Sequence, residues 1–343
     1  MRVGILTSAL GGGGAERQAR IWADVCVQAG HDVTALVLWP LGADTAPEGV
    51  RVSRIPKPRG GALATIPPRL RRACRELDAL IAFEPYLGVC AMLAAPPIPW
   101  MIVTGKVPSL LRDRSRIPLP LFKRAFAKAT LASAPNQAMV DAHRQLGIRA
   151  DGRWAVVPNA ADRAAFIAGA PQRKGVLWVG RLDPVKNPVL AVEAAAAIEA
   201  PLTILGYGEL EGEVEAAIAA SNGSAPVRIE GFSGAPWRSF ASHRVLAVTS
   251  RYESFGNVIV ESLAAGTPVV SVDCDFGPRA IIGDASFSQL TEPTVEGVSA
   301  GLRTVLERPY GEAEEAECRA IADRYRTDNI APVLLGAIDS LGG

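Results

Sequence analysis

The stretch from residue 245 to residue 272 constrains the fold more than any other part of the chain. Residues 245–250 are a short apolar run of the kind found in buried strands, and residues 269–272 form a second one. Between them, the pattern predicts a helix that Gly266 can end in the left-handed conformation and that Pro268 cannot extend. This order of strand, loop, helix and strand predicts a parallel unit. Its loop opens at the carboxyl edge of a sheet, where open α/β folds bind ligands.

Two carboxylates mark this edge of the predicted sheet. Glu253 falls in the loop, and Glu261 falls on the helix about one turn beyond Gly256 and Asn257. Both can point into one cleft, together with backbone amides near Gly256 that would favour an anion. In isolation, two glutamates at this spacing are more often solvated surface residues.

In the context of Gly266-Thr267-Pro268, however, the pair resembles the motif of retaining glycosyltransferases of family 4. The resemblance implies the GT-B fold, in which two Rossmann-like, doubly wound parallel-sheet domains face a central cleft. It implies that Glu261 accepts hydrogen bonds from the ribose of a nucleotide sugar, and Glu253 from hydroxyls of the donor sugar. It further implies that four neighbouring residues line the donor site: Phe255, Gly256, Asn257 and Val258.

Composition sets bounds on this interpretation. With 343 residues, of which 49% are hydrophobic, the chain can bury a large core and is expected to form two domains. A net charge of +1 gives no reason to expect nucleic acid as a partner. Five widely spaced cysteines without a Cys-x-x-Cys pair are typical of thiols in a reducing compartment. Without a signal-peptide pattern or the roughly 20 apolar residues of a membrane span, the sequence predicts a cytoplasmic protein.

The N-terminal half opens like a nucleotide-binding domain. Two predicted strands, at 2–6 and 33–38, flank a glycine-rich turn and a helix. Glycines let the backbone approach a phosphate, but flexible turns use them too, and no acidic residue ends the second strand as in most NAD-binding proteins. Followed by Ala15-Glu16-Arg17, the run resembles the opening of family 4 enzymes, which implies that Gly13 and Gly14 face the donor diphosphate.

One position departs from the family pattern. After a strand predicted at 100–103, where family 4 enzymes usually carry a histidine facing the donor sugar, this chain reads Thr104-Gly105-Lys106. The three histidines of the chain, His31, His143 and His243, lie in no matching motif. The departure supports the alternative that the protein binds sugar nucleotides without catalysing transfer.

Residues 106–128 combine positive charge with apolar side chains. One acidic residue, Asp113, stands among seven basic ones: Lys106, Arg112, Arg114, Arg116, Lys123, Arg124 and Lys128. Such a segment is either a solvated helix face or a surface that meets anionic lipid headgroups. Because many family 4 enzymes extend membrane or lipid-linked acceptors, we expect peripheral contact between 106–128 and the inner face of the cell membrane.

The second half repeats the strand and loop pattern. Arg181 and Lys186 lie in Gly180-Arg181-Leu182-Asp183-Pro184-Val185-Lys186, after a predicted strand, and are two cations suited to a diphosphate. Viewed singly, either could be an exposed surface residue. Their order and spacing nevertheless resemble a family 4 segment, which implies that both act in catalysis together with Glu253. In the family, two later loops line the nucleoside pocket, and they place two residues there: Gly206 and Phe232.

The resemblance also implies the domain boundaries. A similar Pro158-Asn159 step ends the N-terminal domain in the family, so residues 1–159 are expected to form a Rossmann-like acceptor-binding domain. Residues 160–174 read as a linker, and 175–325 as the Rossmann-like nucleotide-sugar-binding domain. The final helix, within 326–343, is expected to cross back onto the first domain.

Asp273-Cys274-Asp275 is the one sequence that suggests a metal. At a strand end, Asp-x-Asp is the divalent-metal motif of the other major glycosyltransferase fold, GT-A, but further oxygen ligands are not evident. The Rossmann patterns and the paired glutamates belong to a metal-independent fold. We therefore expect neither a metal nor a cofactor beyond the nucleotide-sugar co-substrate.

These patterns together predict retaining transfer of a hexose or N-acetylhexosamine from a nucleotide-diphosphate sugar. UDP is the favoured nucleotide, and the acceptor is a glycan, a lipid-linked sugar or a small molecule. Two alternatives stay open: a non-catalytic sugar-nucleotide-binding or scaffold protein, and a GT-B epimerase or hydrolase of UDP-sugars. A Rossmann oxidoreductase is the weakest alternative, because the acidic ribose ligand is missing.

Overall fold

The computed structural model describes residues 1–11, 13–38, 46–55, 65–113, 115, 117–150, 153–167, 172–231 and 237–342. The chain divides into two compact units. The first comprises Met1–Ala160 and Thr327–Gly343, and the second comprises Ala161–Arg326.

The first unit is a parallel sheet covered by helices. Its strands are β1 Arg2–Thr7, β2 Asp32–Val37, β3 Arg51–Arg54, β4 Ala79–Phe83, β5 Trp100–Val103, β6 Leu131–Ala134 and β7 Trp154–Val156. Its helices are α1 Gly14–Gln28, α2 Ile66–Ala73, α3 Pro85–Ala94, α4 Pro108–Asp113, α5 Leu119–Lys128, α6 Gln137–Gln145 and, from the end of the chain, α14 Thr327–Asp339. The strand order is β3-β2-β1-β4-β5-β6-β7, so the winding reverses between β1 and β4. The loops after these two strands flank a crevice of the kind that binds ligands.

Alternate residues of the inner strands serve two separate cores. Leu80 and Ile102 face α2, α3, α4 and α5, whereas Ile5 and Ile81 face α1 and α14. This alternation follows from the two-residue period of a strand and explains why the strands are apolar on both faces. Both faces of the sheet are therefore buried at its inner strands, whereas the edge strand β3 is largely exposed.

Helix α14 belongs to the first unit, as the sequence predicts for the final helix. Ile330, Leu334 and Ile338 recur every four residues, lie on one face of the helix and are buried beside Trp22 of α1. The expectation that the chain returns to its first domain is confirmed.

The second unit repeats the architecture. Its strands are β8 Val176–Val179, β9 Leu202–Leu205, β10 Val227–Glu230, β11 Val245–Val248, β12 Tyr252–Glu253, β13 Val269–Val272, β14 Asp275–Phe276 and β15 Gln289–Thr291. Its helices are α7 Pro188–Ala196, α8 Glu211–Ala220, α9 Trp237–Ser242, α10 Asn257–Ala264, α11 Gly277–Ile282, α12 Val295–Glu307 and α13 Glu312–Asp323. Six strands form a parallel sheet in the order β10-β9-β8-β11-β13-β15, and β12 pairs with β14 separately. Leu177 and Leu246 face α9, α10, α11 and α13, whereas Trp178 and Ala247 face α7, α8 and α12.

Of the expected linker, 160–174, Ala160 belongs to the first unit and the other described residues belong to the second. Ala161 and Ala165 are buried in the core of that unit. The Arg173 guanidinium is almost fully buried and donates hydrogen bonds to Glu315 and to the carbonyl oxygen of Ala265. An alanine-rich, aperiodic stretch reads as a linker in sequence, but small side chains also allow the backbone to pack closely against a core.

Candidate functional site

Three local features hold the loop that carries Glu253. Glu253 lies in β12, where it pairs with Phe276 of β14. Gly256 adopts a φ of +99°, in the left-handed region, and turns the chain into α10. Gly277 approaches Phe255 so closely that a Cβ on Gly277 would lie 2.0 Å from the carbonyl oxygen of Phe255. Glycine is therefore required at position 277, and the loop is held at both ends.

Lys186 and Glu253, 67 positions apart in sequence, meet at the carboxyl edge of the second sheet. Lys186 Nζ lies 2.5 Å from Glu253 Oε1, and Ser250 Oγ donates a 2.8 Å hydrogen bond to the same oxygen. The Glu253 side chain is 8% exposed and that of Lys186 is 24% exposed. Burial of either charge alone would be unfavourable, so each one compensates the other. The structure thus brings together two of the three residues predicted to act in catalysis.

Arg181 is the third residue predicted to act in catalysis, and its partner is Asp183. Its guanidinium lies 2.9 Å from Asp183 Oδ2, and its side chain is 77% exposed. The other oxygen of Asp183 accepts hydrogen bonds from the backbone N–H groups of Val185, at 3.0 Å, and Lys186, at 2.9 Å. Asp183 therefore organises the turn that presents Lys186, while Arg181 remains at the surface.

The Lys186 and Glu253 pair has capacity for a ligand. An ammonium group has three donors, and a carboxylate can accept more hydrogen bonds than the two that Glu253 Oε1 receives. A phosphate oxygen could share the Lys186 cation, and sugar hydroxyls could donate to Glu253. Cys274 lies beside the pair, and burial, followed by the charge of Glu253, raises the pKa of its thiol to about 12. The thiol is therefore protonated at neutral pH and adds no negative charge.

The predicted donor-binding residues after Glu253 occupy different environments. Glu261 is 3% exposed on α10. The Phe255 ring is buried edge-on against Tyr325, with ring centroids 5.3 Å apart, and Val258 packs on the same core. Their side chains serve packing, which leaves only their backbone for a ligand. Asn257 begins α10, and the N–H of Ile259 in its first turn donates to the carbonyl oxygen of Gly256 at 2.9 Å.

Gly206 lies beside the segment that carries Arg181. A Cβ on Gly206 would lie 1.9 Å from the carbonyl oxygen of Gly180, so the loops after β8 and β9 touch at these two glycines. A side chain at 206 would push the loops apart. Phe232, predicted for the nucleoside pocket, lies outside the described residues.

In the first unit, a carboxylate already occupies the predicted phosphate loop. Gly13 caps α1, which begins at Gly14. Glu16 folds back onto this turn: its Oε1 accepts a 2.7 Å hydrogen bond from Ser8, and its Oε2 would lie 2.7 Å from a Cβ on Gly13. A helix N-terminus favours one negative group, and here Glu16 supplies it. A diphosphate at Gly13 and Gly14 therefore requires Glu16 to move.

Glu84, after β4, is a residue that no sequence pattern marks. Its φ of +81° is rare for a residue with a side chain. Its Oε2 is buried and accepts no hydrogen bond from the described residues, while Lys106 Nζ lies 4.0 Å away. Burial raises the pKa of Glu84 to about 7; Lys106 opposes this rise, and Glu16 adds to it. The stretch that lacks the expected histidine, Thr104-Gly105-Lys106, thus lies beside a carboxyl group that titrates near neutral pH.

The basic segment, 106–128, contains α4 and α5. Two of its basic residues lie outside the described part of the chain: Arg114 and Arg116. The apolar face of α5 is buried, and the exposed residues on its other face include Leu121, Arg124 and Lys128. Among the described residues, no helix combines the length and apolar character needed to cross a bilayer.

The Asp-x-Asp sequence is split between two environments. Asp273 pairs with Arg279, and Asp275 lies in β14. Within the described ranges, no three or more His, Cys, Asp or Glu side chains are grouped to hold a metal ion.

Two protein-family models match successive halves of the chain. Glycosyltransferase Family 4 matches residues 12–165, and Glycosyl transferases group 1 matches residues 163–323. Together they span residues 12–323, which include most of both units.

Two curated relatives resemble different lengths of the chain. N-acetylgalactosamine-N,N'-diacetylbacillosaminyl-diphospho-undecaprenol 4-alpha-N-acetylgalactosaminyltransferase of Campylobacter jejuni is 39% identical over 39% of this chain, a match that covers 38% of the relative. GDP-mannose-dependent alpha-mannosyltransferase of Mycobacterium tuberculosis is 28% identical over 74% of this chain and 73% of its own length.

Solved structures match the whole chain. The Anabaena protein HepE, in complex with UDP, aligns over 99% of this chain and 100% of its own, with a TM-score of 0.84 and 21% identity. At this identity the likeness concerns the fold, which is the predicted pair of Rossmann-like parallel-sheet domains. The two family models and the shared fold agree along the sequence, and the chain belongs to the family 4 glycosyltransferases of the GT-B fold.

Proposed function

We propose that this protein transfers a hexose or N-acetylhexosamine from a nucleotide-diphosphate sugar, with retention of anomeric configuration. The observation that carries the proposal is the contact between Lys186 and Glu253, which sets a cation and a carboxylate side by side at the carboxyl edge of the second sheet. One suits the departing phosphate and the other suits the hydroxyls of the sugar that it leaves.

The chemistry explains why this pair is sufficient for the proposed role. As the bond to the diphosphate breaks, the sugar gains oxocarbenium character and the leaving group gains negative charge. Lys186 stabilises that charge, with Arg181 able to swing from Asp183 toward a bound diphosphate. No side chain is assigned as a nucleophile. The acceptor oxygen bonds to the anomeric carbon on the face that the phosphate leaves, and the departing phosphate accepts the proton of the acceptor hydroxyl. This route gives retention and requires no metal.

The relatives support the substrate classes. The names of the Campylobacter jejuni and Mycobacterium tuberculosis relatives specify an N-acetylgalactosaminyl and a mannosyl transfer, and HepE was solved with UDP. We favour UDP as the nucleotide, and a glycan, lipid-linked sugar or small molecule as the acceptor. A lipid-linked acceptor would bring the protein to the cytoplasmic face of a membrane, where residues 106–128 would meet anionic headgroups.

A transfer assay tests this proposal. UDP-glucose, UDP-N-acetylglucosamine, UDP-N-acetylgalactosamine and GDP-mannose are each incubated with octyl N-acetylglucosaminide, with and without EDTA. Nuclear magnetic resonance then identifies the anomer formed. We expect acceptor-dependent release of nucleotide, an α product from an α donor, and activity that EDTA leaves nearly intact.

Other outcomes would contradict parts of the proposal. A β product from an α donor would exclude retention. Strict dependence on magnesium or manganese would return Asp273 and Asp275 to consideration. Donor turnover at full rate without acceptor would indicate an epimerase or hydrolase. Tight nucleotide binding without transfer to a panel of acceptors would favour a non-catalytic sugar-nucleotide-binding protein.

A further inference from the structure

We propose that Thr249 and Ser250, two neighbouring hydroxyl residues at the end of β11, are positioning residues for the site. Thr249 acts on the backbone that carries Lys186, and Ser250 acts on the carboxylate of Glu253. The inference rests on the proposed function and extends it to residues outside the predicted set.

Thr249 links the core of the second unit to the Lys186 loop. Its buried Oγ1 accepts a 3.0 Å hydrogen bond from the indole N–H of Trp178 and donates to the carbonyl oxygen of Asn187 at 2.8 Å, with the carbonyl of Lys186 at 3.1 Å. Asn187 adopts a φ of +50°, in the left-handed region that asparagine tolerates better than most residues with a side chain. The hydroxyl of Thr249 is therefore part of what fixes the peptide from which the Lys186 side chain extends.

Ser250 holds one oxygen of Glu253. Lys186 and Ser250 both donate to Oε1, while no hydrogen bond from the described residues reaches Oε2. Ser250 is 2% exposed, so its hydroxyl is shielded from competing water. When Lys186 turns toward a phosphate, Ser250 still retains Oε1, and Oε2 keeps its direction for a sugar hydroxyl.

A backbone contact completes the connection between the two loops. The N–H of Arg251 donates to the carbonyl oxygen of Val185 at 2.8 Å. Thr249 and Arg251 thus join the loop before α10 to the loop before α7, whereas Ser250 fixes Glu253 within its own loop. The relative placement of the two loops therefore has support besides the ion pair between Lys186 and Glu253, which the substrate must disturb.

Removal of the two hydroxyls should change different quantities: kcat for Ser250 and the Kd of UDP for Thr249. In Ser250→Ala, Glu253 loses its orientation in the transition state, so we expect kcat to fall tenfold or more while the Kd of UDP changes less than twofold. In Thr249→Val, the Lys186 loop is released, so we expect the Kd of UDP to rise about tenfold. Thr249→Ser keeps the hydroxyl, so the Kd of UDP should stay near its wild-type value. Ser271→Ala is the matched control, because the buried Ser271 hydroxyl donates only along its own strand, to the carbonyl oxygen of Val272 at 2.9 Å.

Double-mutant cycles separate positioning from a general structural role. If Ser250 acts through Glu253, Ser250→Ala should lower kcat no further in a Glu253→Ala background. If Thr249 acts through Lys186, Thr249→Val should weaken UDP binding no further in a Lys186→Ala background. Calorimetry with UDP and initial rates with the best donor of the transfer assay provide both readouts.

Distinct results would overturn the inference and the proposed function. Additive losses in both cycles, or effects of Ser250→Ala and Thr249→Val no larger than those of Ser271→Ala, contradict positioning even in an active enzyme. Failure of Thr249→Val to fold, with no rescue of UDP binding by Thr249→Ser, contradicts the role of Thr249, and the Ser250 cycle then decides the other half. A wild-type protein that binds neither UDP nor GDP contradicts the proposed function itself.

Discussion

At the scale of single residues, the two cations that share one sequence motif have different surroundings. Lys186 is drawn onto Glu253, whereas Arg181 is exposed and paired with Asp183. A charge-assisted contact to a developing anion contributes about 3 kcal/mol, so Lys186→Ala should lower kcat/KM by two orders of magnitude or more. Arg181→Ala should cost less, because the guanidinium must first leave Asp183. Initial rates with saturating acceptor compare the two, and an unchanged rate in Lys186→Ala would remove it from the site.

Alanine substitutions of the two glutamates in the central motif should also have different effects on binding and on kcat. Glu261 is assigned to ribose, which does not change in the reaction, so Glu261→Ala should weaken binding of donor and of free UDP alike. Glu253 is assigned to the reacting sugar, so Glu253→Ala should depress kcat while UDP binds about as before. Calorimetry and steady-state kinetics on both variants test this. Equal losses of UDP affinity would mean that the motif is misassigned.

The raised pKa of Glu84 leads to a prediction about how stability depends on pH. Its pKa is about 7 in the folded chain against an ordinary 4.5, so between these values the folded state binds more protons than the unfolded state. Stability contributed by this group therefore falls as the pH rises through that window. Glu84→Gln should reduce the loss of unfolding free energy between pH 5 and pH 8, measured in urea, whereas the exposed Glu76→Gln should not. If the free energy of unfolding depends on pH in the same way in Glu84→Gln and in wild type, Glu84 does not cause this loss of stability.

At the scale of elements, the sequence pattern predicted the long helices and the buried strands but not the shortest helices and strands. The long helices and buried strands have enough residues to display a period, and the loop at Glu253 could be placed because a strand and a glycine-stopped helix flank it. Helices α4, α9 and α11 have six residues each and strands β12 and β14 have two, too few for a period to emerge. The position of Glu253 depends on those short elements and on backbone contacts, and a hydrophobic pattern in the sequence does not reveal either.

Helix α14 offers a matched pair of substitutions. Leu334 is fully buried in the core shared with α1, and its neighbour Val333 is 46% exposed. Leu334→Ala should lower the free energy of unfolding by about 2–5 kcal/mol through lost burial and a cavity, whereas Val333→Ala should change it by less than about 0.5 kcal/mol. Thermal and urea denaturation compare the two variants. Similar losses in both would mean that α14 does not pack on the first unit as described.

At the scale of the whole molecule, the chain is two similar units with different chemistry at their sheet edges. The second unit presents Lys186 beside Glu253, whereas the first presents Glu16 and Glu84 near its glycine loop. Sequence reasoning assigned diphosphate contacts to both edges, through Gly13 and Gly14 in the first unit and through Arg181 and Lys186 in the second. It could not anticipate that Glu16 folds back onto the Gly13 turn, since that depends on a rotamer and on Ser8, eight residues away.

The surface of the whole molecule carries the last prediction, contact with an anionic membrane. Arg124 and Lys128 lie on the exposed face of α5, and each cation near an anionic surface contributes about 1 kcal/mol. Reversing both to Glu changes the net charge from +1 to −3, as does reversing Arg238 and Arg303, two exposed cations of the second unit. The α5 reversal should weaken sedimentation with vesicles of phosphatidylglycerol and phosphatidylcholine at least tenfold, and the control reversal should have a much smaller effect.

Salt and lipid composition then identify the kind of contact. Binding that depends on α5 should fall as salt is raised, because exposed charges are screened, and should be absent with vesicles of phosphatidylcholine alone. Equal effects of the two reversals would mean that net charge, and not the segment 106–128, governs binding. Wild-type protein that stays in the supernatant with both kinds of vesicle at low salt would make the exposed cations of α5 a solvated helix face, which is the other interpretation that their sequence allows.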